Sequence, residues 1–280
     1  MRSHHVRRMA ALVATVLAAA ALLVGGAPTA SSAPTWAPAD SATIHPGVQM
    51  YTEGAQCTAN FIFTRGDDVF IGYAAHCAGT GEATDTNGCD AGSLPLGTPV
   101  EIDGASQPGT LVYSSWAAMQ AGPRPAEDVC SYNDFAVVQI HPNDIGKVNP
   151  TIPHWGGPTG INTAGTSAGS SVYSYGNSSL RFGIELLSPK TGLSLGSSTW
   201  SHPVYTVTPG IPGDSGSAML DSEGRAAGVL STLALAPLAG SNNYSDLGQA
   251  LAYAQSHGMS GLTLALGTEA FNPNQLPLGI

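Results

Sequence analysis

Basic residues are scarce in this chain. Lysine and arginine together number nine in 280 residues, against 19 aspartates and glutamates, and charged residues of either sign make up 10%. A nucleic-acid-binding face needs clustered Lys and Arg to meet phosphates, so that class of function is excluded, as is docking on anionic lipid. Long apolar runs are equally scarce. The one long run, Met9 to Val24, has 16 residues, short of the roughly 20 that a membrane span needs. Cys-x-x-Cys is absent and the eight histidines do not cluster, so nothing supports a metal site and no metal or cofactor is expected.

What stands at the N-terminus explains part of the charge imbalance. Arg2, Arg7 and Arg8 precede the apolar run, and small residues follow it up to Ala33. This is the layout of a secretion signal spanning residues 1–33. Cleavage is expected between Ala27 and Ala33, with Pro28 and Pro34 disfavouring two of the bonds. Arg7-Arg8 also raises a twin-arginine route, although the residues around it match that pattern poorly. Removing the signal leaves six basic and 19 acidic residues, a charge of 6 − 19 = −13. The mature chain is expected to be secreted and extracellular, with no nucleic-acid partner and no membrane contact. Four cysteines in an exported chain imply two disulfides, with three possible connectivities.

Residues 34–46 are rich in Pro, Ala and Ser and are expected to form a flexible lead-in. The remainder, residues 47–280, is ample for one large β domain. It carries 35 glycines and 20 prolines counted over the whole chain, and its strand-like runs are short. They are Thr58–Thr64, Val69–Tyr73, Phe135–Ile140, Ser171–Tyr175, Val204–Val207, Ser217–Leu220 and Ala227–Leu230. That is an all-β composition. One helix is predicted, Tyr244 to His257, capped by Ser245 or Asp246, carrying Leu247, Leu251 and Ala254 at helical spacing and ended by Gly258. A strand-like Gly261–Leu266 follows it.

Three short segments carry chemistry. They are Ala74-Ala75-His76-Cys77, then Asn133-Asp134-Phe135, then Gly213-Asp214-Ser215-Gly216-Ser217. A serine hydroxyl is a poor nucleophile at neutral pH. It needs a base to take its proton, and that base needs a third group to hold its tautomer. His76 supplies an imidazole, Asp134 a carboxylate and Ser215 a hydroxyl. Taken singly, each has a plain reading. Gly-Asp-Ser-Gly makes a good surface turn, Asp134 a strand-entry cap, His76 a satisfied core histidine. Together and in the order His, Asp, Ser they are the parts of a nucleophilic triad. Separations of 58 and 81 residues mean that only a tertiary fold assembles them.

On these motifs the chain resembles the chymotrypsin-like serine proteases, over roughly residues 48 to 267. Its ending, Gln249-Ala250-Leu251-Ala252-Tyr253 followed by Leu262–Leu266, resembles the bacterial streptogrisin-type members. The resemblance implies two packed six-stranded antiparallel β-barrels with a C-terminal helix, the first barrel near residues 47–150 and the second near 160–267, joined around Asn149 to Gly160. It implies a secreted, monomeric endopeptidase acting on polypeptides, with His76, Asp134 and Ser215 as the triad and the backbone N–H groups of Gly213 and Ser215 as the oxyanion hole. It pairs Cys57 with Cys77 and leaves Cys89 for Cys130. It places Pro209 at the pocket floor and Ser231, Thr232 and Leu233 along the substrate strand. It also pairs Asp214 with a buried cation, for which Arg181 is a candidate.

The chain departs from the family in places. No Ile-Val-Gly-Gly activation sequence is present, no cysteine lies near Ser215 to brace the pocket, and no large pro-domain fits before Cys57. The uncharged Pro209 gives no reason to select Arg or Lys, and Leu233 narrows the entrance, so a small or medium apolar side chain is expected before the cleaved bond. The histidine expected of glutamate-specific members is absent at Leu230. A catalytically silent binding protein on the same scaffold is the competing reading, though its usual mark, a lost triad residue, is missing. An α/β-hydrolase is disfavoured, since the serine turn is not Gly-x-Ser-x-Gly and the triad order differs.

Overall fold

A computed structural model describes residues 34–81, 86–233 and 239–275. The predicted signal lies outside the described residues, and no described helix is long and apolar enough to cross a membrane. In chain order the strands are β1 (Gln49–Thr52), β2 (Ala55–Thr58), β3 (Ile62–Arg65), β4 (Asp68–Tyr73), β5 (Pro99–Ile102), β6 (Gly109–Ser114) and β7 (Ala136–Gln139). Then come β8 (Ser171–Tyr175), β9 (Pro189–Ser194), β10 (Ser201–Thr206), β11 (Ala218–Leu220), β12 (Ala226–Leu233), β13 (Asn242–Asp246) and β14 (Thr263–Leu264). Helices α1 (Ser115–Gln120) and α2 (Glu127–Tyr132) lie between β6 and β7, and α3 (Leu247–Ser256) follows β13.

The strands form two antiparallel sheets. The second closes into a barrel in the order β10-β13-β12-β11-β8-β9. The first has the order β14-β3-β4-β7-β6-β5-β1-β2. It counts eight because the predicted run Thr58–Thr64 bends at residues 59–61 and because β14 adds to its edge. The bend turns the strand from one neighbour to the other: Ala59 N–H donates to Val48 O beside β1, while Asn60 N–H donates to Gly72 O in β4. That switch curls the sheet back on itself.

The central strands of the first sheet are buried on both faces. β4 and β7 bury Val69, Phe70, Ile71, Val137 and Val138 completely, with Phe63 and Phe135 edge to face at 5.6 Å. The second barrel has its own smaller core of Val172, Val204, Met219, Ala227, Leu230 and Tyr244. The C-terminal helix starts later than predicted, at Leu247, because Tyr244 and Ser245 belong to β13. Asp246 is its cap, accepting from Gln249 N–H at 2.8 Å. After β14 the chain returns to the second barrel, where Phe271 packs edge-on against Tyr173.

Residues 34–46 are not the free lead-in expected from their composition. Ala37 N–H donates to Val148 O at 2.9 Å, Asn149 donates its side-chain amide to Ala37 O at 2.7 Å, and Ile44 bridges Val148 and is fully buried. A proline-rich stretch has few backbone donors, but Ala37 and Ile44 N–H find acceptors on the link between the two sheets, Val148 O and Lys147 O. Both expected disulfides are formed, Cys57–Cys77 and Cys89–Cys130. Closing loops of 20 and 41 residues stabilises the fold by about 3–4 kcal/mol each in the chain-entropy account.

Candidate active site

His76 sits in a single 3-10 turn, Ala75–Ala78, that leaves the end of β4. Ala74 and Ala75 are fully buried, and only small side chains let this turn press so closely on the sheet. Asp134 lies in the short gap between α2 and β7. Its backbone is held from both sides by one buried residue: Ser115 Oγ donates to Asn133 O at 2.6 Å and accepts from Phe135 N–H at 3.1 Å. The sulfur atoms of Cys57 and Cys77 that stand close to His76 are bonded to each other, so they offer no thiolate to a metal.

The carboxylate of Asp134 is 3% exposed and accepts three hydrogen bonds. His76 N–H donates to Oδ1 at 2.9 Å, while His76 Nδ1 and Ser231 Oγ donate to Oδ2 at 2.7 and 2.6 Å. Ser231 reaches this far because β12 bulges there. Its pairing with β13 slips between Leu230 and Thr232, and a bulge re-aims the side chain it carries. Burial alone would favour neutral forms of both groups. For His76 the charge and hydrogen bond of Asp134 outweigh that, so its pKa is raised above 6.5. For Asp134 the charge of His76 and the hydrogen bonds from His76 and Ser231 outweigh it, and its pKa falls below 3.8. A carboxylate only accepts, so Nδ1 carries the proton and Nε2 is the basic nitrogen of the neutral ring.

Ser215 stands on the turn between β10 and β11. Thr58 N–H, from the first sheet, donates to Ser215 O at 2.8 Å, and Gly216 N–H donates to Leu230 O at 2.7 Å. Two glycines make the turn possible. Gly213 has φ +93° and Gly216 +88°, values that side chains disfavour. A Cβ on Gly213 would lie 2.3 Å from Gln56 Oε1, and one on Gly216 2.6 Å from Thr58 O. The N–H groups of Asp214, Gly216 and Ser217 are all bonded to carbonyls. Those of Gly213 and Ser215 donate to no group among the described residues, as donors aimed at an outside acceptor would.

His76 and Ser215 line one cleft of about 530 Å³, together with Gly210, Ile211, Leu230 and Leu233. Ser231 and Thr232 are also on its wall. Pro209 is not. Its carbonyl instead accepts from Arg181 Nη2 at 3.0 Å, and Gly210 takes the lining position. Asn242, unnoticed in the sequence, closes the back. It accepts from Gly210 N–H at 2.7 Å and donates to Gly210 O at 3.1 Å and to Thr232 O at 3.3 Å. One side-chain amide thus ties together two walls that no disulfide joins.

Below the turn, Asp214 is fully buried. Arg181 Nη2 donates to its Oδ2 at 2.6 Å, Ile211 N–H donates to the same oxygen at 3.1 Å, and Ser178 N–H donates to Oδ1 at 3.0 Å. Lys190, on β9, adds a second cation that the sequence does not reveal. Its Nζ lies 3.1 Å from Asp214 Oδ2, with no exposed surface, and makes no well-directed hydrogen bond among the described residues. Burial lowers the pKa of Lys190. The charge of Asp214 only partly offsets this, and Arg181 adds repulsion.

No protein-family model and no curated protein sequence matches the chain. Solved structures do. Thermobifida fusca protease A is 18% identical, covers 80% of this chain with 99% of its own, and superposes with a TM-score of 0.51. A glutamic-acid-specific serine protease that uses a histidine triad in substrate binding is 18% identical, with 79% and 100% of the two chains covered and a TM-score of 0.50. A Glu endopeptidase gives 18%, 78% and 92%, and 0.50. At that identity the likeness establishes the fold. The chain has the fold of the bacterial chymotrypsin-like serine proteases.

Proposed function

We propose that this chain is a secreted serine endopeptidase. The observation that carries the reading is the chain of contacts on Asp134. Its carboxylate fixes His76 in one tautomer, and the other ring nitrogen belongs to a histidine that shares its cleft with Ser215. In the reaction His76 Nε2 takes the Ser215 proton as Oγ attacks the substrate carbonyl. The imidazolium formed is stabilised by Asp134 and returns the proton to the leaving amine, and water then releases the acyl group by the same path. The N–H groups of Gly213 and Ser215 receive the developing oxyanion. Residues 1–33 direct export and are removed, and the described chain acts as a monomer on polypeptides. Labelling by a fluorophosphonate probe tests the reading. Wild type should react at Ser215 and the Ser215→Ala variant should not. Absence of labelling in folded wild type would favour a silent binding protein.

The raised pKa of His76 sets the pH dependence. Catalysis needs the neutral imidazole, and a raised pKa means that protonation persists to higher pH. The acid limb of kcat/KM should therefore lie above the ordinary histidine value of about 6.5. Asp134, with its lowered pKa, stays ionised throughout that limb. A rate profile that is flat from about pH 5 to 8 would exclude His76 as the base.

Side-chain preference follows from the cleft walls. Gly210, Ile211, Leu230 and Leu233 offer no charge, and Leu233 projects at the entrance, 38% exposed. Among the described cleft residues His76 is the only histidine, so nothing there resembles a histidine set that would bind a glutamate side chain. Ala, Val or Leu should be preferred over Lys, Arg, Phe and Trp before the cleaved bond. Leu233→Gly should shift preference toward aromatic residues by about 1–3 kcal/mol in relative specificity. Cleavage of a peptide library by both proteins measures it. An unchanged profile would show that Leu233 does not border the site.

A further inference from the structure

Ser178 is not part of the triad, yet it holds the peptide group on which half of the proposed oxyanion hole depends. It is 1% exposed. Its hydroxyl accepts from Leu180 N–H at 3.2 Å. A serine hydroxyl has one proton to give, and here it goes to Pro212 O. In a trans peptide the C=O and N–H point in opposite directions. Holding Pro212 O on the Ser178 side therefore turns Gly213 N–H away from Ser178, and that is one of the two N–H groups on this turn left without an acceptor among the described residues.

The neighbouring peptide groups are fixed in the same way. Thr58 Oγ1 donates to Gly213 O at 2.7 Å and Gln56 Nε2 donates to it at 3.0 Å. Ser217 N–H donates to Asp214 O at 3.1 Å, which orients Ser215 N–H. Of these three carbonyls, that of Pro212 is the one whose hold comes from a single side-chain hydroxyl. It is also the one next to a residue with free choice of φ. Gly213 adopts positive or negative φ with little penalty, so the Pro212–Gly213 peptide can rotate by half a turn at low cost. Rotation would replace the N–H in the hole with a carbonyl oxygen, which repels an oxyanion.

We infer that Ser178 is a positioning residue that locks the Pro212–Gly213 peptide with its N–H facing the cleft, so that the oxyanion hole is preformed. The lock uses groups already in the folded chain. Ser178 N–H and Arg181, three residues apart, both hold Asp214, so the segment that grips the turn from below also grips it from the side. No newly cut amino terminus is needed to set the hole. The inference rests on the endopeptidase reading for its catalytic consequence, but the peptide orientation is a structural statement that holds without it.

Three variants test it: Ser178→Ala, Ser178→Cys and Ser178→Thr. Alanine removes the hydroxyl. Cysteine keeps the size but is a weak donor, which guards against the alanine variant failing to fold. Threonine restores the hydroxyl. In crystal structures the Pro212–Gly213 peptide should be rotated or divided between two orientations in the alanine or cysteine protein and single in wild type and the threonine protein. For peptide hydrolysis, kcat should fall by about 10²-fold in the alanine variant. The cysteine variant should fall less, KM should stay within about twofold, and threonine should recover most of kcat. A single unrotated peptide in the alanine or cysteine structure would overturn the lock. An unrotated peptide with reduced kcat would show that the loss has another cause, and would equally overturn it. Fluorophosphonate labelling of wild type reports separately on the endopeptidase reading.

Discussion

Replacing Ser215 with alanine is expected to lower peptide hydrolysis by about 10⁶-fold and to leave the thermal midpoint almost unchanged. The substitution removes the nucleophilic oxygen but none of the contacts that hold the turn. Those contacts use backbone atoms: Ser215 O accepts from Thr58 N–H, and Gly216 N–H donates to Leu230 O. His76→Ala should cost nearly as much, because a serine without its base is a poor nucleophile. The double variant should be little worse than either single one, since the base has no work to do without the nucleophile and the nucleophile none without the base. The measurement is kcat/KM on one efficiently cleaved peptide for the three variants, with circular dichroism confirming that each is folded. A Ser215→Ala protein with a tenth or more of wild-type activity would end the proposal. Losses that multiplied in the double variant would show that the two residues do not act on one step.

The three residues proposed for catalysis were legible because that chemistry demands particular residue types. A serine flanked by glycines, a histidine beside cysteine and an aspartate at a strand entry are uncommon in combination. Some strands were legible from short β-branched and aromatic runs bounded by turn residues, as in Ser171–Tyr175, whose predicted limits are those of β8. Helices α1 and α2 were not, since six residues hold less than two turns and show no periodicity. The bend at residues 59–61 was hidden because the run reads as one strand and is buried on both sides of the bend; the switch of partners is decided by Val48 and Gly72, distant in sequence. Composition misled for residues 34–46, where the stretch rich in Pro, Ala and Ser is fastened to residues on the link between sheets. Gly210 rather than Pro209 lines the cleft, and the Pro209 carbonyl is turned toward Arg181. Lys190 was invisible for a different reason. In Pro189-Lys190-Thr191-Gly192 a lysine reads as a solvent-facing strand residue, and only the fold shows the buried carboxylate above it. In a chain so poor in cations, two of the six beyond residue 33 lie against this one aspartate.

That concentration of charge makes Asp214→Ala the substitution with the largest expected effect on stability. Asp214 is the acceptor for both Arg181 and Lys190, and all three side chains are at most 10% exposed. Removing the carboxylate strands two cations out of water without a counter-charge, and breaking a buried pair in this way costs about 3–5 kcal/mol. That is a large share of the roughly 5–15 kcal/mol that holds a typical domain folded. Lys190→Met should behave in the opposite sense. It removes a desolvated charge that makes no well-directed hydrogen bond, leaves Arg181 on Asp214, and fills the space with a side chain of similar length. It should change stability by less than about 1 kcal/mol or increase it. The two effects should not add. In Asp214→Ala combined with Lys190→Met, one of the two stranded charges is gone, so the double variant should be more stable than Asp214→Ala alone. Denaturant midpoints of the four proteins at pH 7 measure the cycle. Activity should follow a different order, because the Asp214 carboxylate also accepts from Ser178 and Ile211 N–H and so shapes the turn carrying Gly213. Both proteins lacking Asp214 should be nearly inactive, and Lys190→Met should retain most of its rate. A Lys190→Met protein destabilised as much as Asp214→Ala would mean that the lysine is an essential partner of the carboxylate, and would reverse this account of the buried cluster.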